Sequence, residues 1–103
     1  MPAKAYRIFV GARNTPNHTF LDKDEKIIRN TVNRYFKGWT IENAEGSWDG
    51  QEEQTRIITV VDSAARETWA AGSRPVEAFA AQLKNDLKQA AVMVETGGYI
   101  SIL

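Results

Sequence analysis

The fold of this chain is decided by a stretch from Gly46 to Val61, which reads GSWDGQEEQTRIITVV. Its second half, residues 56–61, is rich in β-branched residues and predicts a strand that is buried along most of its length. Its first half places an indole between two glycines and then two adjacent carboxylates. Turns favour such residues, and glycine also lets a ligand approach the backbone closely. The stretch therefore predicts either a hairpin turn with solvated acids or a site for a small, flat, positively charged ligand.

On the amino-terminal side of this stretch, strand and helix patterns alternate. Residues 6–11 predict a first strand and residues 12–19 a polar loop. A helix follows, with residues 22–25 as a capping box in which Asp22 is the cap and Glu25 reaches back. Gly38 is its predicted left-handed stop. The predicted apolar face of this helix comprises Leu21, Ile28, Val32 and either Tyr35 or Phe36. Residues 39–44 then resume an extended pattern.

On the carboxyl-terminal side, residues 64–71 predict a helical turn or two, and Pro75 opens a longer helix. The apolar residues of this helix recur at intervals of three and four and predict a core-facing side: Val76, Phe79, Ala80, Leu83, Leu87 and Ala90. Residues 92–95 predict a further strand. Gly97 and Gly98 predict a turn, after which residues 99–103 predict a final short strand.

The predicted order is β-α-β-β-α-β with an optional extra strand, in a single domain that spans residues 1–103. This order is typical of the α+β class and of the ferredoxin-like fold, in which two helices cover one face of an antiparallel sheet. The predicted strands are apolar on both sides. We therefore expect the uncovered face to contact another subunit.

Composition narrows the possible function classes. The 103 residues carry 13 basic and 13 acidic side chains, one histidine and no cysteine. This balance gives no general attraction to nucleic acid or to anionic membrane. A lone histidine without cysteine does not make a typical zinc site, and no phosphate-binding glycine loop is present, so no metal or cofactor is expected. Without a signal peptide or an apolar run of about 20 residues, the prediction is a cytoplasmic protein that binds neither nucleic acid nor membrane.

The stretch that decides the fold also holds the first candidate binding residues. The indole of Trp48 offers a flat face for a base or a sulfonium cation. The side chains of Glu52 and Glu53 are expected to point to opposite faces of the sheet, so that one faces a pocket while the other is solvated. The structural alternatives are an interface or core aromatic at residue 48 and two solvated hairpin acids.

Further candidates lie near the ends of other predicted strands. Arg13 and Asn14 follow the first strand, where loops often carry function, and an arginine there can bind a carboxylate or phosphate through two hydrogen bonds. The alternative for Arg13 is a surface charge. Tyr99 begins the last predicted strand and is a candidate for completing a neighbouring subunit's pocket. Arg56 and Glu42 are expected to form a cross-strand pair.

The order of elements, together with Gly46-Ser47-Trp48 and Glu52-Glu53-Gln54-Thr55, resembles phage-encoded S-adenosylmethionine (SAM) lyases, formerly described as SAM hydrolases. In that family a first strand ends in a loop of small residues and arginine, matched here by residues 10–14. A last core strand is matched by residues 92–95. The family usually has tyrosine where Trp48 stands, and its segment between the aromatic residue and the glutamates is longer.

The resemblance implies a small trimer, similar to PII-like proteins, with sites between subunits. It implies that SAM is cleaved to methylthioadenosine and homoserine lactone without a metal or a protein base, which starves methyltransferases and restriction enzymes. Trp48 would contact the substrate and Glu53 would be the catalytic carboxylate, with Glu52, Arg13, Asn14 and Tyr99 as further substrate-binding candidates. Two alternatives stay open. One is a PII-like trimer that binds a nucleotide or metabolite unchanged, and the other is a purely structural oligomer.

Overall fold

The computed structural model describes residues 5–12, 16–61, 75–88, 92–96 and 99–102, and it describes the backbone alone for Pro16, Trp48, Pro75, Thr96 and the last strand. The elements in chain order are β1 (Ala5–Gly11), a short 3-10 helix (Pro16–His18), α1 (Asp22–Tyr35), β2 (Trp39–Trp48), β3 (Gln51–Val61), α2 (Pro75–Asp86), β4 (Met93–Thr96) and β5 (Tyr99–Ile102). The five strands form one antiparallel sheet in the order β2-β3-β1-β4-β5. The ferredoxin-like α+β prediction is confirmed, and the optional strand lies at the sheet edge as β5.

The strand register divides the sheet into a face covered by the helices and an uncovered face. Ile8 and its partner Ile58 are buried against the helices. The neighbouring residue Phe9 pairs with Ile57 and with Met93 on the opposite face, where all three are partly exposed. Because side chains alternate between faces along a strand, the predicted apolar character is confirmed for the covered face. The uncovered face is mixed, since Arg7 and Glu95 form an ion pair at 3.5 Å on it beside these apolar residues.

The hydrophobic core lies between the covered face and the two helices. Ile28 and Val32 of α1 and Phe79 and Leu83 of α2 have almost no accessible surface, because residues four apart share one side of a helix. Phe36 meets Phe79 edge to face, with ring centroids 5.6 Å apart. The predicted apolar sides of both helices are confirmed at these positions. This burial provides the main driving force for packing the helices on the sheet.

The beginning of α1 differs from the predicted capping box by one residue. Leu21 is the N-cap residue, and its N–H donates to Oδ2 of Asp24 at 2.9 Å. Asp24 therefore reaches back to the cap in place of Glu25, and Asp22 is the first helical residue instead of the cap. Leu21 is 39% exposed, so its predicted place on the core-facing side is wrong.

The end of α1 is also reached without the predicted glycine. The helix ends at Tyr35, and Phe36 is already extended, with its N–H bonded to the carbonyl oxygen of Val32 at 2.9 Å. Gly38 does not have a positive φ. Burial of the Phe36 ring turns the chain out of the helix, so no left-handed residue is needed there.

Three predicted features lie outside the described residues: the helical segment 64–71, the turn at Gly97 and Gly98, and the core position of Ala90. Leu87, which directly follows α2, is partly buried against the core as the pattern predicts. Neither α-helix in the described ranges is long and apolar enough to cross a lipid bilayer.

Candidate functional site

β2 and β3 form a long hairpin that carries three of the six candidate binding residues, Trp48, Glu52 and Glu53. Asp49 and Gly50 connect the strands, and both have a positive φ, of 52° and 79°, as a type I′ turn requires. The ladder continues up to this turn and ends with the pair of Trp48 and Gln51. The predicted hairpin turn is confirmed, but of the two acids that this interpretation expects to be solvated only Glu52 is exposed. The two strands hold Trp48, Glu52 and Glu53 at defined register positions.

Glu53 lies on the uncovered face and is half-buried. Its ladder partner on β2 is Gly46, and Gly11 lies diagonally across from it on β1. The carboxylate rests on Gly11, because Cδ of Glu53 is only 2.6 Å from the place where a Cβ of residue 11 would be. A residue with a side chain does not permit this contact. Gly11 is therefore required for the observed position of the carboxylate.

A matching contact joins Thr55 and Gly46. Thr55 is the ladder partner of Gly11, and its Oγ1 lies 2.7 Å from the place where a Cβ of Gly46 would be. Glu53 and Thr55 thus lean in opposite directions over two glycines on the same face of the sheet. We call these four residues the glycine patch. It is a shallow area bordered by one carboxylate and one hydroxyl.

The register also separates the two adjacent acids. Glu52 pairs with Ser47 on the opposite face from Glu53 and is exposed. The backbone position of Trp48 lies two residues from Gly46 along β2, on the same face as Glu53. Of the two acids, Glu53 is therefore the one that shares a face with the candidate aromatic residue.

The described residues do not place the remaining candidates, Arg13, Asn14 and Tyr99, beside Glu53. Arg13 and Asn14 lie outside the described residues. Tyr99 pairs with Thr96, beside the beginning of β1, whereas Glu53 lies at the opposite end of that strand. A contribution of Tyr99 to a site at Glu53 therefore requires a second copy of the chain.

The helix-covered side of the same hairpin holds a polar cluster that the sequence analysis missed. The side chain of Arg56 is 11% exposed, its Nε donates to Oε1 of Glu25 at 2.7 Å, and its guanidinium lies 4.7 Å from the ring centroid of Phe20. The expected pairing with Glu42 is wrong, because Glu42 is the ladder partner of Ile57 and so belongs to the other face. A cross-strand rule considers only strand neighbours, and the true partner is on a helix.

An open cleft of about 440 Å³ lies beside this cluster, between the start of α1 and β3. Asp22, Lys26, Arg29 and Gln54 line it together with the Arg56 cluster. It opens on the side of the sheet opposite to Glu53. Within the described residues, no group of three or more His, Cys, Asp or Glu side chains is arranged to hold a metal ion.

Comparison with solved structures identifies the fold. A structure of a phage SAM lyase in its apo state matches with a TM-score of 0.66 and 20% sequence identity, covering 97% of this chain and 86% of that chain. The chain has the fold of a phage SAM lyase. A second structure, of a phage SAM lyase in complex with S-methyl-5′-thioadenosine, matches with a TM-score of 0.59 and 20% identity, covering 98% of this chain and 87% of that chain. No protein-family model and no curated protein matches.

These matches confirm the resemblance to SAM lyases at the level of the fold. They extend over nearly the whole chain, so they concern the complete arrangement of strands and helices and not a shared motif. One of the two similar proteins holds a small nucleoside, S-methyl-5′-thioadenosine. A fold by itself does not fix an activity, so the function is argued from the residues of this chain.

Proposed function

We propose that the protein is a SAM lyase, which cleaves SAM to S-methyl-5′-thioadenosine and homoserine lactone. The observation that carries this proposal is the similarity to a phage SAM lyase over 97% of the chain. A protein with this fold binds S-methyl-5′-thioadenosine, which is the product expected here. The glycine patch supplies a carboxylate on an uncovered sheet face, where a cationic substrate can reach it.

Glu53 is the proposed binding partner of the substrate's ammonium group. Its half-buried carboxylate, resting on Gly11, supports this role, because charge-assisted hydrogen bonds are strong in partly shielded surroundings. Trp48 is the proposed aromatic partner of the adenosine or the sulfonium, since a cation is attracted to the face of an indole. Their shared face of the hairpin supports placing both at one ligand.

The proposed reaction needs no proton transfer and no nucleophile from the protein. A carboxylate oxygen of SAM attacks the γ-carbon of its own methionine chain and forms the lactone C–O bond. The C–S bond breaks, and its electron pair leaves with the sulfur as a neutral thioether. One positive and one negative charge disappear together, so the charge balances. The protein has to hold the substrate in a near-attack shape and exclude water, while Glu53 leaves the substrate carboxylate free to react.

We further propose a homotrimer with its sites between subunits. Half-exposed apolar side chains on the uncovered face support association, among them Phe9, Ile57, Val61 and Met93. Tyr99 would serve the site of a neighbouring subunit, since it is distant from Glu53 in its own chain. Arg13 and Asn14 are proposed to bind substrate from the connection after β1. Glu52 would do so only if a neighbouring copy approached the helix-covered side of the hairpin.

The proposed biological role is the removal of SAM from the cytoplasm during infection. Loss of SAM deprives host methyltransferases and SAM-dependent restriction enzymes of their substrate, which is an anti-restriction effect. The balanced charge of the chain, with 13 basic and 13 acidic residues, supports a small-molecule substrate over nucleic acid or membrane.

The test compares three variants that each remove one negative charge from the same hairpin. Glu53→Gln alters the glycine patch, Glu52→Gln alters its exposed neighbour, and Glu45→Gln is the control on the opposite face of β2. We expect the wild type to convert SAM to the two products, followed by mass spectrometry. We expect kcat/KM to fall at least about tenfold in Glu53→Gln, since a charged hydrogen bond contributes on the order of 1.5–3 kcal/mol, and to stay near the wild-type value in Glu45→Gln.

The outcomes separate the possible functions. Intact SAM after incubation with the folded wild type contradicts the lyase function. If SAM or another nucleoside then binds and is recovered unaltered, the protein is a binding module. A loss of turnover in Glu52→Gln but not in Glu53→Gln would move the site to the other face of the hairpin.

A further inference from the structure

Thr55, the second polar side chain of the glycine patch, has a hydroxyl that its own chain does not use. Within the described ranges, every hydrogen bond of Thr55 involves its main chain. The residue is half-buried and lies on the uncovered face, opposite Gly11 of β1. A hydroxyl can donate one hydrogen bond and accept two, and partly buried polar groups usually have partners. The hydroxyl of Thr55 is therefore available to a ligand.

The direction of this hydroxyl depends on Gly46. Oγ1 of Thr55 lies 2.7 Å from the place where a Cβ of Gly46 would be, so a side chain at residue 46 would displace it. Threonine is branched at Cβ, which restricts rotation about its χ1 torsion. The hydroxyl is therefore held in one direction, towards β2, before any ligand arrives.

The carboxylate and the hydroxyl of the patch point to opposite sides of β3. Glu53 leans towards β1, where its Cδ atom lies 2.6 Å from the Cβ position of Gly11, whereas Thr55 leans towards β2. Because β1 and β2 flank β3, these two strands are about 10 Å apart. The carboxylate and the hydroxyl therefore contact different parts of a ligand that lies across the hairpin. The part at Glu53 is cationic, and the part at Thr55 is an uncharged hydrogen-bonding group.

We propose that Thr55 binds the neutral nucleoside half of SAM, an inference that rests on the proposed function. SAM is elongated, with its ammonium and carboxylate at one end and its adenosine at the other. Glu53 is the proposed partner of the ammonium, so the hydroxyl on the other side of β3 is left for the adenosine. A phage SAM lyase with this fold binds S-methyl-5′-thioadenosine, which keeps the nucleoside and lacks the ammonium.

The test uses S-methyl-5′-thioadenosine as the probe, because this compound reports on the nucleoside half alone. Thr55→Val removes the hydroxyl and keeps a β-branched residue that favours a strand. Thr55→Ser keeps the hydroxyl and is the rescue variant. Thr59→Val is the matched control, since it removes a hydroxyl from the same face of β3 at a position opposite Arg7.

Isothermal titration calorimetry should show that Thr55→Val raises the Kd of the probe roughly threefold to tenfold, as expected for one lost neutral hydrogen bond. The KM for SAM should rise by a similar factor. Thr55→Ser should recover most of the affinity, and Thr59→Val should bind the probe like the wild type. Wild-type affinity in a folded Thr55→Val, or an equal loss in Thr59→Val, would overturn the inference.

Glu53→Gln tests the division of the ligand between the two groups. It should weaken SAM but not the probe, because the probe has no ammonium. If Glu53→Gln weakens the probe as much as Thr55→Val does, the two groups do not bind separate halves of SAM and the inference is rejected.

Turnover and probe binding together separate the role of Thr55 from the lyase function. If the wild type cleaves SAM while Thr55→Val binds the probe normally, the lyase function stands and the role of Thr55 is rejected. If the wild type leaves SAM intact but binds the probe more tightly than Thr55→Val does, the lyase function is rejected and the nucleoside contact stands. A wild type that neither cleaves SAM nor binds the probe rejects both.

Discussion

The carboxylate of Glu53 occupies the space next to Gly11 that a side chain at residue 11 would fill. The Cδ atom lies 2.6 Å from that Cβ position, closer than ordinary van der Waals contact allows. Gly11 does not have a positive φ, so glycine is not required here for the backbone conformation. It is required for the close approach, and this makes Gly11 a direct determinant of where the charge of Glu53 lies.

Gly11→Ala should therefore displace the carboxylate while the fold persists. The atoms that the new Cβ meets are the far end of a flexible side chain, which can rotate away. We expect an unchanged circular dichroism spectrum, a Tm within a few degrees of the wild type, and a fall in kcat/KM for SAM of roughly tenfold to a hundredfold. Steady-state kinetics and thermal melts test this. Full activity in Gly11→Ala would mean that the observed position of Glu53 is not the functional one.

Gly50→Ala should lower the stability of the protein and leave its activity unchanged, the reverse of the result expected for Gly11→Ala. Gly50 has a φ of 79° and nothing within 4 Å of its Cβ position. The alanine side chain therefore meets no neighbour, and the expected loss of stability comes only from holding a residue other than glycine at a positive φ. We expect a loss of about 1 kcal/mol in the free energy of unfolding, measured by urea denaturation at fixed protein concentration. Turnover of SAM well below the Tm should stay near the wild-type value.

Gly50→Asn is the control for this turn, because asparagine tolerates positive φ better than alanine. It should recover part of the lost stability. Equal losses in Gly50→Ala and Gly50→Asn would contradict the backbone explanation and point to an interaction of the turn with another copy of the chain.

The sequence predicts the elements of this fold well because local rules govern them. Ile28 and Val32 share a helix side, and Ile58 and Val60 share a strand face, whatever the rest of the chain does. The same alternation predicts that Glu52 and Glu53 face opposite ways. It does not predict which of them lies over β1, since that depends on the β1–β3 register, with Gly11 opposite Thr55.

The details that the sequence analysis missed depend on tertiary contacts. Glu25 carries the signal of a capping residue, yet Asp24 takes that role and Glu25 binds Arg56. Gly38 is a residue type that often ends helices, yet α1 ends three residues earlier, where Phe36 is extended and its ring is buried in the core. In each case a local preference of a few tenths of a kcal/mol to about 1 kcal/mol is outweighed by a contact with a distant element.

The Arg56–Glu25 pair should contribute measurably to stability. Arg56→Met keeps the apolar stem and removes the guanidinium, leaving Glu25 and the Phe20 ring without it. Since Glu25 is 31% exposed and water can partly replace its partner, we expect a loss of about 1–2 kcal/mol. Denaturant unfolding at fixed protein concentration measures this loss. Glu25→Gln should cost less, because an acceptor oxygen stays in place.

Arg29→Met is the matched control for this pair. Arg29 is an exposed residue of α1 whose guanidinium lies 5.7 Å from the Trp39 ring, and such surface contacts contribute about 0.5–1 kcal/mol. A loss in Arg29→Met as large as that in Arg56→Met would contradict a special role for the buried pair. A double variant of Arg56 and Glu25 should lose less than the sum of the two single variants.

A charged substitution on the uncovered sheet face should test whether SAM turnover depends on oligomer formation. Ile57 lies at its centre, paired with Phe9, and is half-exposed in the single chain. Ile57→Lys should leave the monomer folded, because a lysine there can extend its charged end into water. In an oligomer the same charge would be buried against apolar side chains at a high cost. Light scattering after gel filtration should give three times the chain mass of 11.5 kDa for the wild type and one chain mass for Ile57→Lys.

Asn30→Lys, which adds the same charge on the exposed side of α1, is the control and should keep the wild-type mass. If the site lies between subunits, Ile57→Lys loses SAM turnover together with the trimer, although Ile57 does not belong to the glycine patch. A folded monomeric variant with full turnover would show that one chain holds the complete site and that Tyr99 has no part in it. A monomeric wild type would reject the trimer itself.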